Sequence, residues 1–221
     1  MTDNIVIPSD WTFKNQSVAE GFDRHVREQL PWYDLATGAV AHIARHYLPE
    51  NGRLYDIGTS TGNMCRALSE TLKSRHIETY AIEPSQQMMS MWSGPRDIEL
   101  LSDNAEDVTY QPYDVAICFL VLMFLTKDNR KRLLEKLRRQ LRRGGAIIIV
   151  DKVDTNSGYF GTVLHRLTLA GKVATGVTAD EIIAKELSLP GAQRPLSLDE
   201  VPADAMQFLR FGEFVGWVIE G

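Results

Sequence analysis

The sequence predicts an α/β protein built on a doubly wound, mostly parallel sheet, and three observations carry this prediction. From residue 53 onward, short apolar segments alternate with amphipathic segments of roughly 10–15 residues. The segment "VAICFLVLMFL", residues 115–125, is apolar at every position, as expected for a central strand covered on both faces. A loop of small residues, "GTSTG" at 58–62, follows the first apolar segment, where open parallel sheets bind their ligands.

The sequence predicts five strands of the sheet. They are "RLYDIG" from residue 53, "IETYAIEPS" from 77, a third strand within "DIELLSDNAED" from 97, "YDVAICFLVLMFL" from 113 and "AIIIVDKVD" from 146. Helices are predicted between them at 62–74, from Ser85 as N-cap, and at 127–143 with Gly144-Gly145 as the stop. We therefore expect the residues from 53 to 153 to form the cofactor-binding core of a seven-stranded sheet.

The rest of the chain elaborates this core within one domain, residues 1–221. Residues of about 10–40 precede the alternating pattern and form a predicted N-terminal cap. Two helical segments, "YFGTVLHRLTLAGKV" and "TADEIIAKELSL", fall within a predicted lid at 154–200. The end of the chain, residues 205–221, alternates as a pair of antiparallel strands around Gly212-Glu213 and predicts a terminal hairpin.

Composition limits the classes of function. The formal charge of −5 over 221 residues gives no overall attraction to nucleic acid or to anionic lipid. The two cysteines, Cys65 and Cys118, form no metal-binding or disulfide pattern, so no metal is predicted. No secretion signal is visible, and the longest apolar run is too short to span a bilayer. The sequence therefore predicts a cytoplasmic protein that does not contact a membrane.

Polar residues at three successive strand ends predict the ligand. Gly58 and Gly62 allow close approach to the loop backbone, although the loop does not match a dinucleotide fingerprint or a P-loop. Glu83 ends the second strand about 20 residues later, where a carboxylate accepts hydrogen bonds from ribose hydroxyls. Asp103 and Asn104 follow the third strand and suit an adenine edge. An adenosine without a pyrophosphate fits this set, and it indicates S-adenosyl-L-methionine (SAM).

Three segments resemble a known family. "FDRHVREQLPWYD" at 22–34, "LYDIGTSTG" at 54–62 and the run from Cys118 to Lys152 resemble the class I SAM-dependent methyltransferases. Within that class the chain is most similar to the carboxy-SAM synthases, which act in tRNA wobble-uridine modification. The resemblance covers about residues 22–151 and implies SAM, or carboxy-SAM, as the cofactor.

The resemblance also implies roles for individual residues. Tyr33 would contact the cofactor from the N-terminal cap, Gly58, Thr59 and Ser60 would lie along its amino-acid part, and Phe119 takes the place of a cofactor-contacting asparagine of the family. The family holds the extra carboxylate of its product with an arginine after the fifth strand; Arg194 and Arg210 are the candidates to substitute for it, although neither aligns with it. The full predicted cofactor site comprises Tyr33, Asp56, Gly58, Thr59, Ser60, Gly62, Glu83, Pro84, Asp103, Asn104 and Phe119.

Three functions remain open at this point. The first is methyl transfer from SAM to an unidentified acceptor, either a small molecule or tRNA. The second is a carboxy-SAM synthase-like conversion of SAM with prephenate, and the third is a SAM-binding module without turnover. No catalytic residue is assigned, although His25 and His165 lie in segments expected to cover the site and are possible bases. A homodimer is a possible assembly.

Other patterns favour structural interpretations. His42 and His46 are spaced for metal binding on a helix but lack a third ligand, so an exposed helix flank is the favoured interpretation. Cys118 lies inside an apolar strand and is predicted to be inert core. The basic residues of 127–143 are predicted to face solvent, because the leucines of that helix already form its sheet-facing side.

Overall fold

A single seven-stranded sheet organises the computed structural model, which describes residues 7–155 and 158–221. The strands are β1 (Arg53–Ile57), β2 (Glu78–Ile82), β3 (Glu99–Leu101), β4 (Tyr113–Phe119), β5 (Leu141–Lys152), β6 (Met206–Phe211) and β7 (Phe214–Glu220). Their order across the sheet is β3-β2-β1-β4-β5-β7-β6. The first five strands are mutually parallel, and β7 runs antiparallel to both β5 and β6. The predicted fold class, including the C-terminal antiparallel hairpin, is confirmed.

Helices flank the sheet and extend beyond its edge. They are α1 (Gln16–Gln29), α2 (Tyr33–Tyr47), α3 (Asn63–Ala67), α4 (Ser69–Ser74), α5 (Gln86–Ser90), α6 (Lys127–Gln140), α7 (Tyr159–Ala174) and α8 (Ala179–Ser188). The predicted helix at 62–74 is therefore two short helices that meet at Leu68. Within the described residues, no helix is long and apolar enough to cross a bilayer.

Alternate residues of the central strands belong to two separate cores. In β4, Val115 and Ile117 pack with α2 on one face, whereas Ala116 and Cys118 pack with Leu133 of α6 on the other. All seven residues of this strand are buried. A strand covered on both faces needs no polar alternation, so the continuous apolar pattern predicted its central place correctly.

The apolar run from 113 to 125 is not one strand, contrary to the prediction. Strand β4 ends at Phe119, Leu120 adopts a φ of 60°, and a 3₁₀ turn covers Leu122–Phe124. The Asp151 carboxylate, at the end of β5, accepts hydrogen bonds from the backbone N–H groups of residues 121, 122 and 123 at 2.6–3.2 Å. These bonds hold the chain away from the sheet, so the last apolar residues turn over the strand ends.

The predicted end of the following helix is also wrong. Helix α6 ends at Gln140, and strand β5 begins immediately at Leu141, which pairs with Tyr113. Gly144 and Gly145 therefore lie inside β5, where the pairing register with β4 shifts. Gly144 has a φ of 78°, and a Cβ on Gly145 would lie 2.4 Å from the carbonyl oxygen of Asp114. The two glycines permit a close strand irregularity and do not stop the helix.

Candidate functional site

A cavity of about 470 Å³ lies beyond the C-terminal ends of β1, β2 and β4. Its floor comes from the loops after these strands, and its cover comes from residues 11–33 and from helices α7 and α8. This is the position at which open α/β sheets bind ligands. Nine residues of the predicted cofactor site line it: Tyr33, Asp56, Gly58, Thr59, Ser60, Glu83, Pro84, Asn104 and Phe119.

Two predicted site residues lie outside the cavity wall. Gly62 has a φ of 92° and packs beneath Trp92, whose ring would lie 2.8 Å from an added Cβ. Its small size therefore serves packing in the protein. Asp103 is exposed, and its neighbour Asn104 lines the cavity instead and donates a hydrogen bond to Asp107 at 3.1 Å.

The loop after β1 has an unusual backbone that its residues explain. Gly58 and Ser60 have φ values of 63° and 55°, a region that glycine occupies freely and serine rarely. The Thr59 N–H donates to the carbonyl of Ile82 at 3.0 Å, which fixes the loop to β2. A Cβ on Gly58 would lie 2.6 Å from Cγ2 of Val121. The loop therefore passes directly beneath the turn that follows β4.

Buried carboxylates hold this loop in place. Asp56 is 1% exposed and accepts hydrogen bonds from the Thr59 hydroxyl at 2.6 Å and the Cys65 thiol at 3.2 Å. Burial raises the pKa of Asp56 to about 6 and holds that of the Cys65 thiol well above its usual value. Asp56 thus lines the cavity mainly as the support of the loop.

Glu83 lies at the end of β2 with both carboxylate oxygens engaged by the backbone. Oε2 accepts from the Ser60 N–H at 3.0 Å, and Oε1 accepts from the Ser85 N–H at 2.9 Å. Burial raises the pKa of Glu83, and the two N–H donors act in the opposite direction. Each carboxylate oxygen can accept a second hydrogen bond. The residue can therefore position the loop and also receive a diol from the cavity.

Tyr33 reaches the cavity from the first turn of α2. Its ring packs edge-on against Phe119 at 5.3 Å, and the Arg27 guanidinium lies 5.2 Å from its centroid. Burial raises the pKa of the Tyr33 hydroxyl well above its usual value. Among the residues that the structure describes, no group is hydrogen-bonded to this hydroxyl, which leaves it available to a ligand.

An α1 clamp, formed by Asp23 and Arg27, fixes the cover to the loop. Asp23 accepts from the Thr61 hydroxyl at 2.6 Å and pairs with Arg66 at 3.0 Å, and Arg27 donates to Asn63 at 3.3 Å. This clamp was not predictable from the sequence, because the partners are 36–43 residues apart. No local pattern reveals such a pairing.

The covered half of the cavity differs from the cofactor end. Trp11, Phe13, Phe22 and Phe124 form an aromatic wall, in which consecutive contacting rings lie 4.9–6.0 Å apart. Lys152, Lys172, Lys185 and Glu186 are the charged residues of this half. Neither the lysines nor the aromatic wall was predictable as a unit, because their segments are distant in the chain.

Of the two possible bases, only His25 lines the cavity. Its Nε2 atom is buried and without a hydrogen-bond partner in the described part of the chain. Burial, together with the nearby Lys185 and Lys172, lowers its pKa to about 4, so the imidazole is neutral at pH 7. His165 instead contacts Glu213 at 3.3 Å, on the exposed surface.

The remaining predictions have mixed outcomes. Cys118 is fully buried core, as predicted, and burial raises its pKa. Arg130 of α6 is buried and not solvent-facing, since it donates to the Leu122 carbonyl at 2.7 Å and pairs with Glu200 at 3.1 Å. The arginine thereby fixes the turn after β4. Neither Arg194 nor Arg210 is part of the cavity wall.

The residues present fit an S-adenosyl cofactor. Ser60 Oγ is buried in the cavity wall without a hydrogen-bond partner among the described residues, which marks a position for a polar ligand group. Glu83 can accept further hydrogen bonds at the end of β2, the position where ribose hydroxyls bind in such sheets. Asn104 supplies an amide after the end of the next strand, β3. Phe119 and Tyr33, whose rings pack edge-on, add an aromatic surface to the same cavity.

The chain is similar in sequence to a methyltransferase family model and to carboxy-S-adenosyl-L-methionine synthases. Residues 55–149 match the family model described as a methyltransferase domain. The carboxy-S-adenosyl-L-methionine synthase of Staphylococcus epidermidis is 29% identical over 196 residues, which is 87% of this chain and 86% of that protein. The enzyme of the same name from Shewanella halifaxensis is 26% identical over 95% of this chain and 88% of its own length.

Solved structures share the fold at low sequence identity. The plantazolicin methyltransferase BpumL, in complex with a monoazolic desmethylPZN analog and SAH, superimposes with a TM-score of 0.62 at 14% identity, covering 93% of this chain and 89% of that chain. Human N-acetylserotonin methyltransferase in complex with SAM superimposes with a TM-score of 0.58 at 10% identity, covering 94% of this chain and 57% of that chain. An rRNA methylase of Streptococcus thermophilus superimposes with a TM-score of 0.51 at 15% identity, covering 82% of this chain and 93% of that chain.

Proposed function

We propose that this chain is a class I SAM-dependent methyltransferase that holds SAM in the cavity over β1, β2 and β4 and methylates a small-molecule acceptor in the covered half. In this proposal Glu83 receives the ribose hydroxyls, Asn104 lies at the adenine, and Ser60 with Tyr33 lies at the methionine end. The single observation that carries the assignment is the arrangement of Glu83, which both bonds the small-residue loop and faces the cavity.

The cover favours a small molecule over tRNA as the acceptor. Trp11, Phe13 and Phe22 of the aromatic wall cover this half of the cavity. The α1 clamp holds their segment on the loop after β1. A folded RNA would need the cover to open before a base reached the cofactor. Neither free cysteine is exposed, which is compatible with the reducing cytoplasm as the place of action.

The protein's contribution to the reaction is positioning. When bound, SAM supplies a methyl group on a positively charged sulfur, which an acceptor takes by in-line displacement. The loop of residues 58–62 and Glu83 hold one side of the cavity rigid, and the aromatic wall excludes water and orients the apolar part of the acceptor. His25 is neutral at pH 7, and its Nε2 has no hydrogen-bond partner among the described residues, so it can form a hydrogen bond with a polar group of the acceptor, while its pKa of about 4 makes it a weak base.

A second function is supported by the curated relatives. Carboxy-SAM synthases resemble this chain over most of their length, so conversion of SAM to carboxy-SAM with prephenate is the alternative chemistry for the same cavity. Against this alternative, neither tail arginine considered as its carboxylate ligand lines the cavity. The lysines of the covered half are the available cations there.

Native mass spectrometry of the protein purified from cells tests these functions. Methyl transfer predicts bound SAM or S-adenosylhomocysteine (SAH), and the alternative predicts bound carboxy-SAM. A Glu83→Ala protein from the same host is the control, since it should carry less of either ligand. An S-adenosyl ligand retained in equal amount by Glu83→Ala would contradict the proposed site, and a wild-type protein that neither retains nor takes up SAM would contradict both functions.

A further inference from the structure

A lysine cluster, formed by Lys172 and Lys185 with Lys152 beside them, lines the covered half of the cavity. Lys172 comes from α7 and is 6% exposed, and Lys185 comes from α8. Burying an ammonium group is costly unless a counter-charge or a set of hydrogen bonds compensates for the lost water. Two basic side chains from different helices, Lys172 buried and Lys185 partly buried, therefore require an explanation in one ligand cavity.

The charges of this half do not balance. Glu186 is the only carboxylate paired with the cluster in the described part of the chain, and it accepts from Lys172 at 3.1 Å. Lys152 donates to the neutral amide of Gln193 at 3.2 Å. Lys185 lies over the ring of Trp11 and has no carboxylate partner within residues 7–155 and 158–221. Three amino groups of the cluster thus share one carboxylate, and a protonated Lys185 would have no counter-charge among the described residues.

Two neighbouring polar atoms also lack hydrogen-bond partners among the described residues. His25 stacks on Trp11 at 5.5 Å, and its Nε2 makes no hydrogen bond to any described residue. Gln29 Oε1, one turn further along α1, is equally unpaired within the described ranges. Both residues are 8% exposed and line the same cavity. Buried polar groups are normally satisfied, so this end of the cavity is built for a polar ligand group.

From these observations we propose that the acceptor is a small aromatic molecule with an anionic group, a carboxylate or a phosphate, that binds between Lys172 and Lys185. The aromatic wall of Trp11, Phe13, Phe22 and Phe124 receives the ring, and the anion supplies the missing counter-charge of the cluster. This inference rests on the proposed function, since it names the substrate class of that same cavity.

The protonation of Lys185 agrees with this assignment. Burial, and then the charge of Lys172, lowers the pKa of Lys185 to about 5 in the ligand-free protein, while Glu186 acts in the opposite direction. An anion bound beside the ammonium stabilises its charged form and raises that pKa. At pH 7 the binding of an anion is therefore expected to be accompanied by proton uptake. The nearby Lys172, Glu186 and His25 influence the number of protons taken up.

The test measures the binding of simple probes to the protein saturated with SAH. Benzoate is the anionic probe, benzamide is its neutral counterpart of the same shape, and phenyl phosphate is the phosphate probe. Ligand-observed NMR titration is expected to show at least tenfold weaker binding for benzamide than for the better of the two anions. A preference for phenyl phosphate over benzoate would assign the anionic group as a phosphate, and the reverse would assign a carboxylate.

Three variants decide whether the lysine cluster is responsible. Lys185→Gln is expected to lower the affinity for the preferred anion at least tenfold and to leave the affinity for SAH unchanged. Lys131→Gln, which changes an exposed lysine of α6, is expected to bind both ligands like wild type. Glu186→Gln is expected to tighten anion binding several-fold, because it frees Lys172. A merely structural role for Glu186 would not give an effect of this sign.

The outcomes separate this inference from the proposed function. Wild-type protein that binds SAH but binds benzamide as well as both anions, or binds none of the three, overturns the anionic-acceptor assignment alone. Unchanged anion binding in a Lys185→Gln protein that still binds SAH also overturns it. A wild-type protein that does not bind SAH instead contradicts the proposed function.

Discussion

Glu83 is the residue on which the cofactor assignment depends most. A carboxylate that receives two ribose hydroxyls forms charge-assisted hydrogen bonds worth about 1.5–3 kcal/mol each. We expect Glu83→Ala to weaken SAM binding at least about tenfold in calorimetric titration. Because the carboxylate also accepts from Ser60 and Ser85, the alanine variant leaves two N–H groups unpaired and should melt at a lower temperature.

A matched variant separates these two effects of Glu83. Glu83→Gln keeps one side-chain oxygen as acceptor for the loop but lacks the charge, so its affinity is expected to lie between those of wild type and Glu83→Ala. A folded Glu83→Ala protein that binds SAM with wild-type affinity would remove this residue from the site.

Gly58 has two reasons to exclude a side chain, and one double variant distinguishes them. A Cβ there meets Val121, and it would also enter the space proposed for the cofactor. We expect Gly58→Ala to lose most SAM binding, and Gly58→Ala with Val121→Ala to recover only part of the lost stability, because the φ of 63° still disfavours a side chain, and not to recover the affinity. Calorimetry and thermal melting report the two quantities. If removing the Val121 side chain restores SAM binding fully, the loop backbone is not a cofactor surface.

Tyr33 presents a hydroxyl without a protein partner in the described structure. We expect Tyr33→Phe to weaken SAM binding by about 0.5–1.5 kcal/mol, the net value of one neutral hydrogen bond, with the ring packing on Phe119 retained. Tyr47→Phe is the control, because its hydroxyl bonds Glu220 outside the cavity. Equal affinities for wild type and Tyr33→Phe would assign Tyr33 to packing alone.

At the scale of elements, the α1 clamp links the cover to the cofactor loop. Asp23→Ala removes the bonds to Thr61 and Arg66, so α1 should exchange its amide hydrogens faster and release SAH several-fold faster in stopped-flow experiments. Glu20→Ala, an exposed acid of the same helix, is the control. Identical SAH release rates for Asp23→Ala and wild type would show that α1 does not retain the cofactor.

Helices and strands were predictable where their own residues repeat with a helical or strand period. Their ends were not predictable where contacts with residues distant in the sequence determine them. The alternation of strands and helices from residue 53 is local, and it predicted the parallel sheet correctly. The end of β4 was not predictable, because Asp151, about 30 residues away, turns the chain with three hydrogen bonds. The end of α6 was missed for a similar reason, since pairing with β4 draws Leu141 into β5.

For the whole molecule, the same distinction divides the cavity into two halves. The cofactor end is made by residues at consecutive strand ends, a position that chain order reveals, and nine of the eleven predicted residues line the cavity. The covered half joins Trp11, His25, Lys172 and Lys185 from segments without a shared pattern. Only the packing of the N-terminal segment and α8 shows that they meet, as in the bond from the Trp11 N–H to the Ser188 carbonyl at 2.9 Å.

A crystal structure of the protein with SAH tests the central claim most directly. The account predicts one SAH in the cavity over β1, β2 and β4, with both ribose hydroxyls within hydrogen-bonding distance of the Glu83 carboxylate. The sulfur should face the aromatic wall, toward the covered half. An SAH bound elsewhere on the chain, or bound in this cavity with its ribose away from Glu83, would contradict the account.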